Sequence, residues 1–166
     1  MCKSILVVLL FFLYSCKATT YYIVRHAEKE SSTTMSASTM TTDVPLSAAG
    51  KKRAEALKEV LQNDDIKHIF TTNYLRTRST AQPLADAIHV PVELYDPKDP
   101  GFVDKLKAMK GNVLIVGHSN TVDDLVDDLM GSKAIDGDLP DSEYGDLFVV
   151  KKKGNRMHFE KRHFGQ

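Results

Sequence analysis

Apolar, β-branched runs alternate with helical stretches along most of this chain. That alternation narrows the choice of fold more than any other feature. "TYYIVRH" (20–26), "IKHIFTT" (66–72), "VPVELYD" (90–96) and "NVLIVGH" (112–118) read as strands. The first and last are apolar on both faces, the mark of strands covered from both sides. "LSAAGKKRAEALKEVLQ" (46–62) reads as a helix with Ser47 at its N-cap and Ala49, Ala54, Leu57 and Leu61 on one face. "NYLRTRSTAQPLADAIH" (73–89) predicts a second helix from near Asn73, kinked or divided at Pro83. "PGFVDKLKAMK" predicts a short third helix. "NTVDDLVDDLMG" predicts a fourth, with Val122, Leu125, Val126 and Leu129 on one face and Gly131 at its end. The tail "DLFVVKKKGNRMHFEKRHF" reads as a hairpin turning at "GN". The expected architecture is a three-layer α/β/α sandwich with a mainly parallel sheet and a C-terminal hairpin adding an antiparallel edge.

With 166 residues the chain fits one domain and buries a real core. The 22 Lys+Arg balance 22 Asp+Glu, so nothing in the charge points to nucleic acid. The locally basic tail alternates with apolar residues and reads first as a solvated strand edge and second as a phosphate-binding patch.

Residues 1–16 differ in kind. The unbroken apolar run Ile5–Tyr14 is too short to span a bilayer as a helix, which takes about 20 residues. It fits the h-region of a secretory signal. Its end, "LYSC", resembles the lipobox of bacterial lipoproteins, with Cys16 as the lipidated residue. The expected organisation is a signal peptide over 1–16 and one domain over 17–166. The expected location is exported, periplasmic or on the cell envelope, with membrane attachment through a lipid on Cys16. The only cysteines are Cys2 and Cys16, so a chain beginning at Cys16 has no intramolecular disulfide. "KESSTTMSASTMTTDVP" follows the first strand as a long aperiodic loop that could cover a pocket.

Ligand sites in open α/β sheets lie beyond the carboxyl ends of the strands. The first strand ends in Arg25–His26, the second leads to Arg76, and the fourth ends in Gly117–His118. Two arginines and two histidines on one rim make a poor core and a good anion site. Arginine keeps its charge and matches phosphate oxygens with a planar fork. A histidine beside arginine is biased toward the neutral form, and a neutral imidazole nitrogen is a nucleophile. Together these groups describe phosphoryl transfer through a phosphohistidine.

"RHAE", "TTNYLRTRSTA" and "VGHS", in this order, resemble the histidine phosphatase superfamily, which includes cofactor-dependent phosphoglycerate mutase and small phosphohistidine phosphatases. "DVPLSAAG" resembles that family's D-x-P-L-T-x-x-G lead into its first helix. By position, the resemblance makes His26 the nucleophile, Arg25 and Arg76 ligands of the phosphoryl oxygens, and His118 a second histidine on those oxygens. Glu28 matches the family's "RHxE" as an orienting residue. The implied reaction is hydrolysis of a phosphomonoester or of phosphohistidine, on a small molecule or a protein. Mutase activity fits a short chain less well.

Many family members place a carboxylic acid after the third strand in an L-x-E pattern. Here Leu94-x-Asp96 makes Asp96 the first candidate for the proton donor, with Glu93 and Asp99 behind it. Asp96 before Pro97 also reads as a turn residue. Asp123–Asp124, after His118, reads as a solvated helix face. The remaining histidines, His68, His89, His158 and His163, lack metal-ligand spacing, and no nucleotide-binding loop is present. No metal and no cofactor are therefore expected. A second reading, from another class, is a non-catalytic envelope lipoprotein of the same fold that binds a phosphate ligand.

Overall fold

The computed structural model describes residues 18–31 and 43–165. The expected signal peptide, Cys16 and most of the Ser/Thr-rich loop lie outside those residues. β1 (Thr19–Arg25), α1 (Ala48–Leu61), β2 (Ile66–Thr71), α2 (Leu75–Ile88), β3 (Val92–Leu94), α3 (Phe102–Ala108), β4 (Asn112–Gly117), α4 (Val122–Met130), β5 (Asp146–Lys153) and β6 (Arg156–His163) follow in that order. They build a six-stranded sheet ordered β3-β2-β4-β1-β5-β6. The β3–β2, β2–β4 and β4–β1 pairs are parallel, while β5 and β6 run antiparallel. This is the expected three-layer architecture, with the hairpin forming one edge.

Alternating strand residues feed two cores. Tyr21, Ile23, Val113, Ile115 and Phe148 pack with Phe102 and Leu106 of α3 and Val122 and Val126 of α4. Tyr22, Val24, Leu114, Val116 and Leu147 pack with Leu57 and Leu61 of α1 and Ala81 and Leu84 of α2. The period of two in β1 and β4 thus sends neighbouring residues to opposite faces. α1, which follows β1, and α4, which follows β4, cover opposite faces of the sheet. The crevice opens where these two central strands end.

Some local expectations shift. Gly50, not Ala49, joins the buried face of α1. Pro83 does not divide its helix: α2 runs unbroken through it. Thr80 and Ala81 on one side of the proline, and Leu84 and Ala85 on the other, are all buried. Packing of both halves outweighs one missing backbone hydrogen bond. The basic tail is the edge strand β6, largely exposed as expected.

Candidate active site

Arg25 is the last residue of β1, in register with Gly117 of β4, and the His26 amide donates to the Gly117 carbonyl at 3.0 Å. The ladder therefore continues one residue past the end of β1 and fixes where His26 stands. His26 is 4% exposed. Its Nδ1 lies 2.8 Å from the Ala27 carbonyl. A carbonyl only accepts, so Nδ1 carries the proton and Nε2 keeps its lone pair in the neutral ring. Burial lowers the His26 pKa to about 4, and the Arg76, Arg25 and His118 charges push the same way against the Ala27 bond. The arginines were expected to be the cause; burial is the larger one.

His118 meets His26 edge-on, with ring centroids 5.5 Å apart. Its Nδ1 lies 3.4 Å from Arg76 Nη2, which donates, and its Nε2 lies 2.8 Å from Thr72 Oγ1. Thr72 in turn donates to Thr77 Oγ1 at 3.1 Å, and Thr77 donates to the Thr72 carbonyl at 2.8 Å. Donors and acceptors along this chain agree only if His118 is protonated on Nε2 and neutral overall. Burial, then Arg76, Arg25 and Lys29, lower its pKa to about 4.

Arg76 sits in the first turn of α2. Asp43, the first residue of "DVPLSAAG", accepts the Leu75 amide at 2.6 Å and so caps that helix from a distance. Thr80 Oγ1 accepts the Ala27 amide at 2.9 Å and donates to the Arg76 carbonyl at 2.7 Å. One hydroxyl thus ties the residue after His26 to Arg76. The Arg76 guanidinium lies 4.3 Å over the ring of Tyr74, whose edge meets His118.

The glycine of the same motif has a steric reason. A Cβ on Gly50 would lie 2.1 Å from the Glu28 carbonyl oxygen. Only glycine lets α1 start against the chain leaving His26. The Ser47 amide donates to that carbonyl at 2.9 Å, and Ser47 Oγ accepts the Gly50 amide at 3.1 Å. Glu28 takes both oxygens to Arg53, with contacts at 2.7 and 2.9 Å. Burial raises its pKa, but the Arg53 bonds outweigh that and hold it below the usual carboxylate range. Arg53 also donates to the Phe164 and Gly165 carbonyls, clamping the end of the chain to α1. Glu28 thus orients α1 and the tail.

Arg25 has more partners than its sequence position announced. Nη1 donates to the Pro140 and Glu143 carbonyls at 2.9 and 3.1 Å, and Nη2 lies 3.2 Å from Asp141 Oδ1. Its guanidinium lies 4.4 Å over the Tyr144 ring, which stands 6.3 Å from the His26 ring. The segment between α4 and β5 is therefore one wall of the site. The Nε groups of Arg25 and Arg76 are buried and have no hydrogen-bond partner among the described residues.

The structure brings Arg25, His26, Arg76 and His118 together. The acid candidates hold other partners. Asp96 is exposed and accepts the Lys98 amide at 2.9 Å, the turn role that Asp-Pro allows. Asp99 accepts the Gly101 amide at 2.9 Å, and Glu93 lies 3.9 Å from His68. Asp123 departs from its expected solvated face: it is 5% exposed, and burial raises its pKa. The first turn of α4 is covered by the segment carrying Leu139, whose amide donates to the Ser119 carbonyl at 2.9 Å. Asp124 beside it is exposed. Among the described residues, no group of three or more His, Cys, Asp or Glu gathers as metal ligands would.

Residues 21–97 match the histidine phosphatase superfamily (branch 1). The fold is also that of solved phosphatases. A mycobacterial glucosyl-3-phosphoglycerate phosphatase superposes with TM-score 0.65 at 14% identity, covering 90% of this chain and 99% of that one. Its complex with inorganic phosphate gives 0.63 at 15%, covering 89% and 97%. A candidate phosphohistidine phosphatase from Nakamurella multipartitia gives 0.64 at 18%, covering 90% and 98%. No curated protein matches the chain. The sequence match over residues 21–97 and the phosphoglycerate mutase-like fold agree.

Proposed function

We propose that this protein is a phosphatase that hydrolyses a phosphomonoester or phosphohistidine through a phosphohistidine on His26. One observation carries the reading. Buried Arg25 and half-buried Arg76 each keep a buried, unpartnered Nε–H, and both charges act on a buried, neutral His26 whose Nε2 lone pair is free. Buried unsatisfied donors are costly, and an anion between them would satisfy both. The superfamily match and the phosphatases of like fold support it.

In this reading Arg25 and Arg76 hold the phosphoryl oxygens, and His118 faces them as charge develops. The His26 Nε2 lone pair forms a P–N bond as the bond from phosphorus to the leaving group breaks. Water then forms a new P–O bond, and the P–N electrons return to Nε2. The Nδ1 bond to Ala27 holds the imidazole in the attacking tautomer. Asp96 remains the proposed proton donor by position, although it would have to leave its Lys98 contact. Leaving groups that need little protonation, such as imidazole or an acidic phenol, fit the site as it stands. Non-catalytic phosphate binding is not favoured, because the nucleophile and both arginines are present and aligned.

Hydrolysis of p-nitrophenyl phosphate tests the proposal. Turnover by the purified protein, lost in His26→Ala, is expected. Phosphate binding without turnover on a broad panel of phosphoesters would replace it with the binding reading.

Residues 1–16 are proposed to direct export and residues 17–166 to form the working domain, with Cys16 carrying a lipid. The motif "LYSC" supports this. A single acyl chain holds weakly and several hold well, so a fully lipidated Cys16 would anchor the domain at the cell envelope. The Cys16→Ser protein is expected in the soluble fraction; its recovery with membranes would count against the anchor.

A further inference from the structure

The hydrogen-bonded chain behind His118 begins and ends on groups whose roles cannot change. At one end, Thr77 Oγ1 lies 2.8 Å from the Thr72 carbonyl and 2.9 Å from the Tyr74 carbonyl. Carbonyls only accept, so the single Thr77 hydroxyl hydrogen points to them. At the other end, Arg76 Nη2 lies 3.4 Å from His118 Nδ1, and a guanidinium only donates. Between these ends the protons have one order. Thr72 donates to Thr77 Oγ1 at 3.1 Å and accepts from His118 Nε2 at 2.8 Å. Both threonines are buried, so these bonds are made within the protein.

The neutral His118 ring therefore presents a lone pair at Nδ1, where Arg76 needs an acceptor. The same rule sets His26 the other way, because its Nδ1 donates to the Ala27 carbonyl. The two rings, with centroids 5.5 Å apart, hold opposite tautomers: Nδ1–H on His26 and Nε2–H on His118. Arg76 depends on the second of these. Its guanidinium lies 4.3 Å over the Tyr74 ring, and the His118 lone pair holds one of its terminal nitrogens. Its Nε, buried and without a partner among the described residues, is left for the phosphoryl oxygens. With the proton on Nδ1 instead, His118 would set an N–H against the Arg76 N–H and turn the guanidinium away.

We infer that Thr72, backed by Thr77, is a positioning residue for the phosphate clamp: it holds His118 as the Nε2–H tautomer, so that Nδ1 accepts from Arg76 and aims its guanidinium at the phosphoryl group. This rests on the phosphatase reading above. It goes further by giving the two threonines a part in that site and by making His118 the acceptor that steers Arg76. A threonine pair that served packing alone would leave the tautomer and the phosphate affinity unmoved.

Long-range ¹H–¹⁵N spectra of the purified protein near neutral pH, where both rings are neutral, read the tautomers directly. His118→Asn assigns the His118 signals. The parent is expected to show Nε2–H on His118 and Nδ1–H on His26. Thr72→Val keeps the side-chain shape and removes the acceptor. It should shift His118 toward Nδ1–H, leave His26 unchanged and weaken inorganic phosphate, titrated in the same spectra, by about 10–100-fold. The kcat/KM for p-nitrophenyl phosphate should fall in parallel, and Thr72→Ser, which restores the hydroxyl, should recover both. A parent His118 carrying Nδ1–H overturns the inference. So does a folded Thr72→Val protein with parental phosphate affinity and kcat/KM. Should Thr72→Val not fold, Thr77→Val takes its place: it frees the Thr72 hydrogen to donate to Nε2, and an unmoved His118 tautomer there overturns the inference too. Each of these outcomes leaves the phosphatase reading standing. Phosphate binding with the expected tautomers but no turnover by the parent overturns that reading instead and leaves the positioning of Arg76 in place.

Discussion

The two walls of the crevice are held by different means. On one side, Arg25, His26 and His118 stand at the ends of β1 and β4, and Arg76 stands in the first turn of α2. Backbone ladders and three buried threonines fix them. On the other side, residues 138–144 reach Arg25 through carbonyls, one carboxylate and a tyrosine ring. The first wall has the same chemistry wherever its strands end, so it suits the step common to all substrates. The second is a loop, free to differ without disturbing the sheet, and suits what distinguishes one substrate from another.

The largest test removes the centre of the first wall. His26→Ala is expected to lower kcat by at least about 10³-fold with an unchanged circular dichroism spectrum. Arg76→Ala should cost about 10²–10³-fold in kcat, since it removes charge stabilisation of the transferring group. Loss of the folded signal in Arg76→Ala would show instead that this residue is needed for the fold. Gly50→Ala sharpens the contrast from the stability side. A Cβ 2.1 Å from a backbone oxygen forces α1 away from the site, at about 3 kcal/mol. Thermal unfolding that matches the parent would mean α1 adapts without strain.

The pH dependence follows from the two histidines. Both have folded pKa values of about 4, below the ordinary 6.5. A depressed histidine pKa means the unfolded chain binds more protons between these values, so stability rises with pH through that window. Stability should be full above pH 6.5 and decline from there toward 4. The acid limb of kcat/KM should fall near pH 4, where His26 protonates, not near 6.5. A limb at 6.5 that persists with a substrate whose phosphate does not titrate in that range would place His26 in a wetter environment than the one described. The smallest effect is expected on the second wall. Tyr144→Phe loses only a 3.5 Å contact to Arg25 and keeps the ring, so kcat should change less than about threefold. A loss comparable to that of Arg76→Ala would move Tyr144 into the chemistry.

The sequence made the first wall legible because strand ends are readable. Fully apolar "YYIV" and "VLIV" stop at Arg25–His26 and Gly117–His118, and the strand-end rule places both pairs on one rim. The supporting threonines were harder to see. Thr77 and Thr80 look like ordinary helix residues until Thr72 and the Ala27 amide turn out to need a partner. Asp43 and Gly50 were visible only as parts of a motif; their reasons, a remote cap and a backbone approach, required the fold. The second wall left no periodic signal. "DGDLPDSEYGD" reads as a polar loop, and nothing local says that its carbonyls fold onto Arg25. Asp123 misled for a similar reason: its helix pattern put it next to the apolar face, and the covering segment around Leu139 has no signature. The carboxylates after β3 were chosen by position in a motif, while their contacts are set by the Asp-Pro turns themselves.

The most direct test of the account is covalent. The protein is mixed with ³²P-labelled aryl phosphate, quenched within the first turnovers, and the labelled residue identified. The account predicts an acid-labile, base-stable label on His26 that appears before free phosphate and is absent from His26→Ala. Steady turnover with no label on His26, or with the label on another residue, would contradict it.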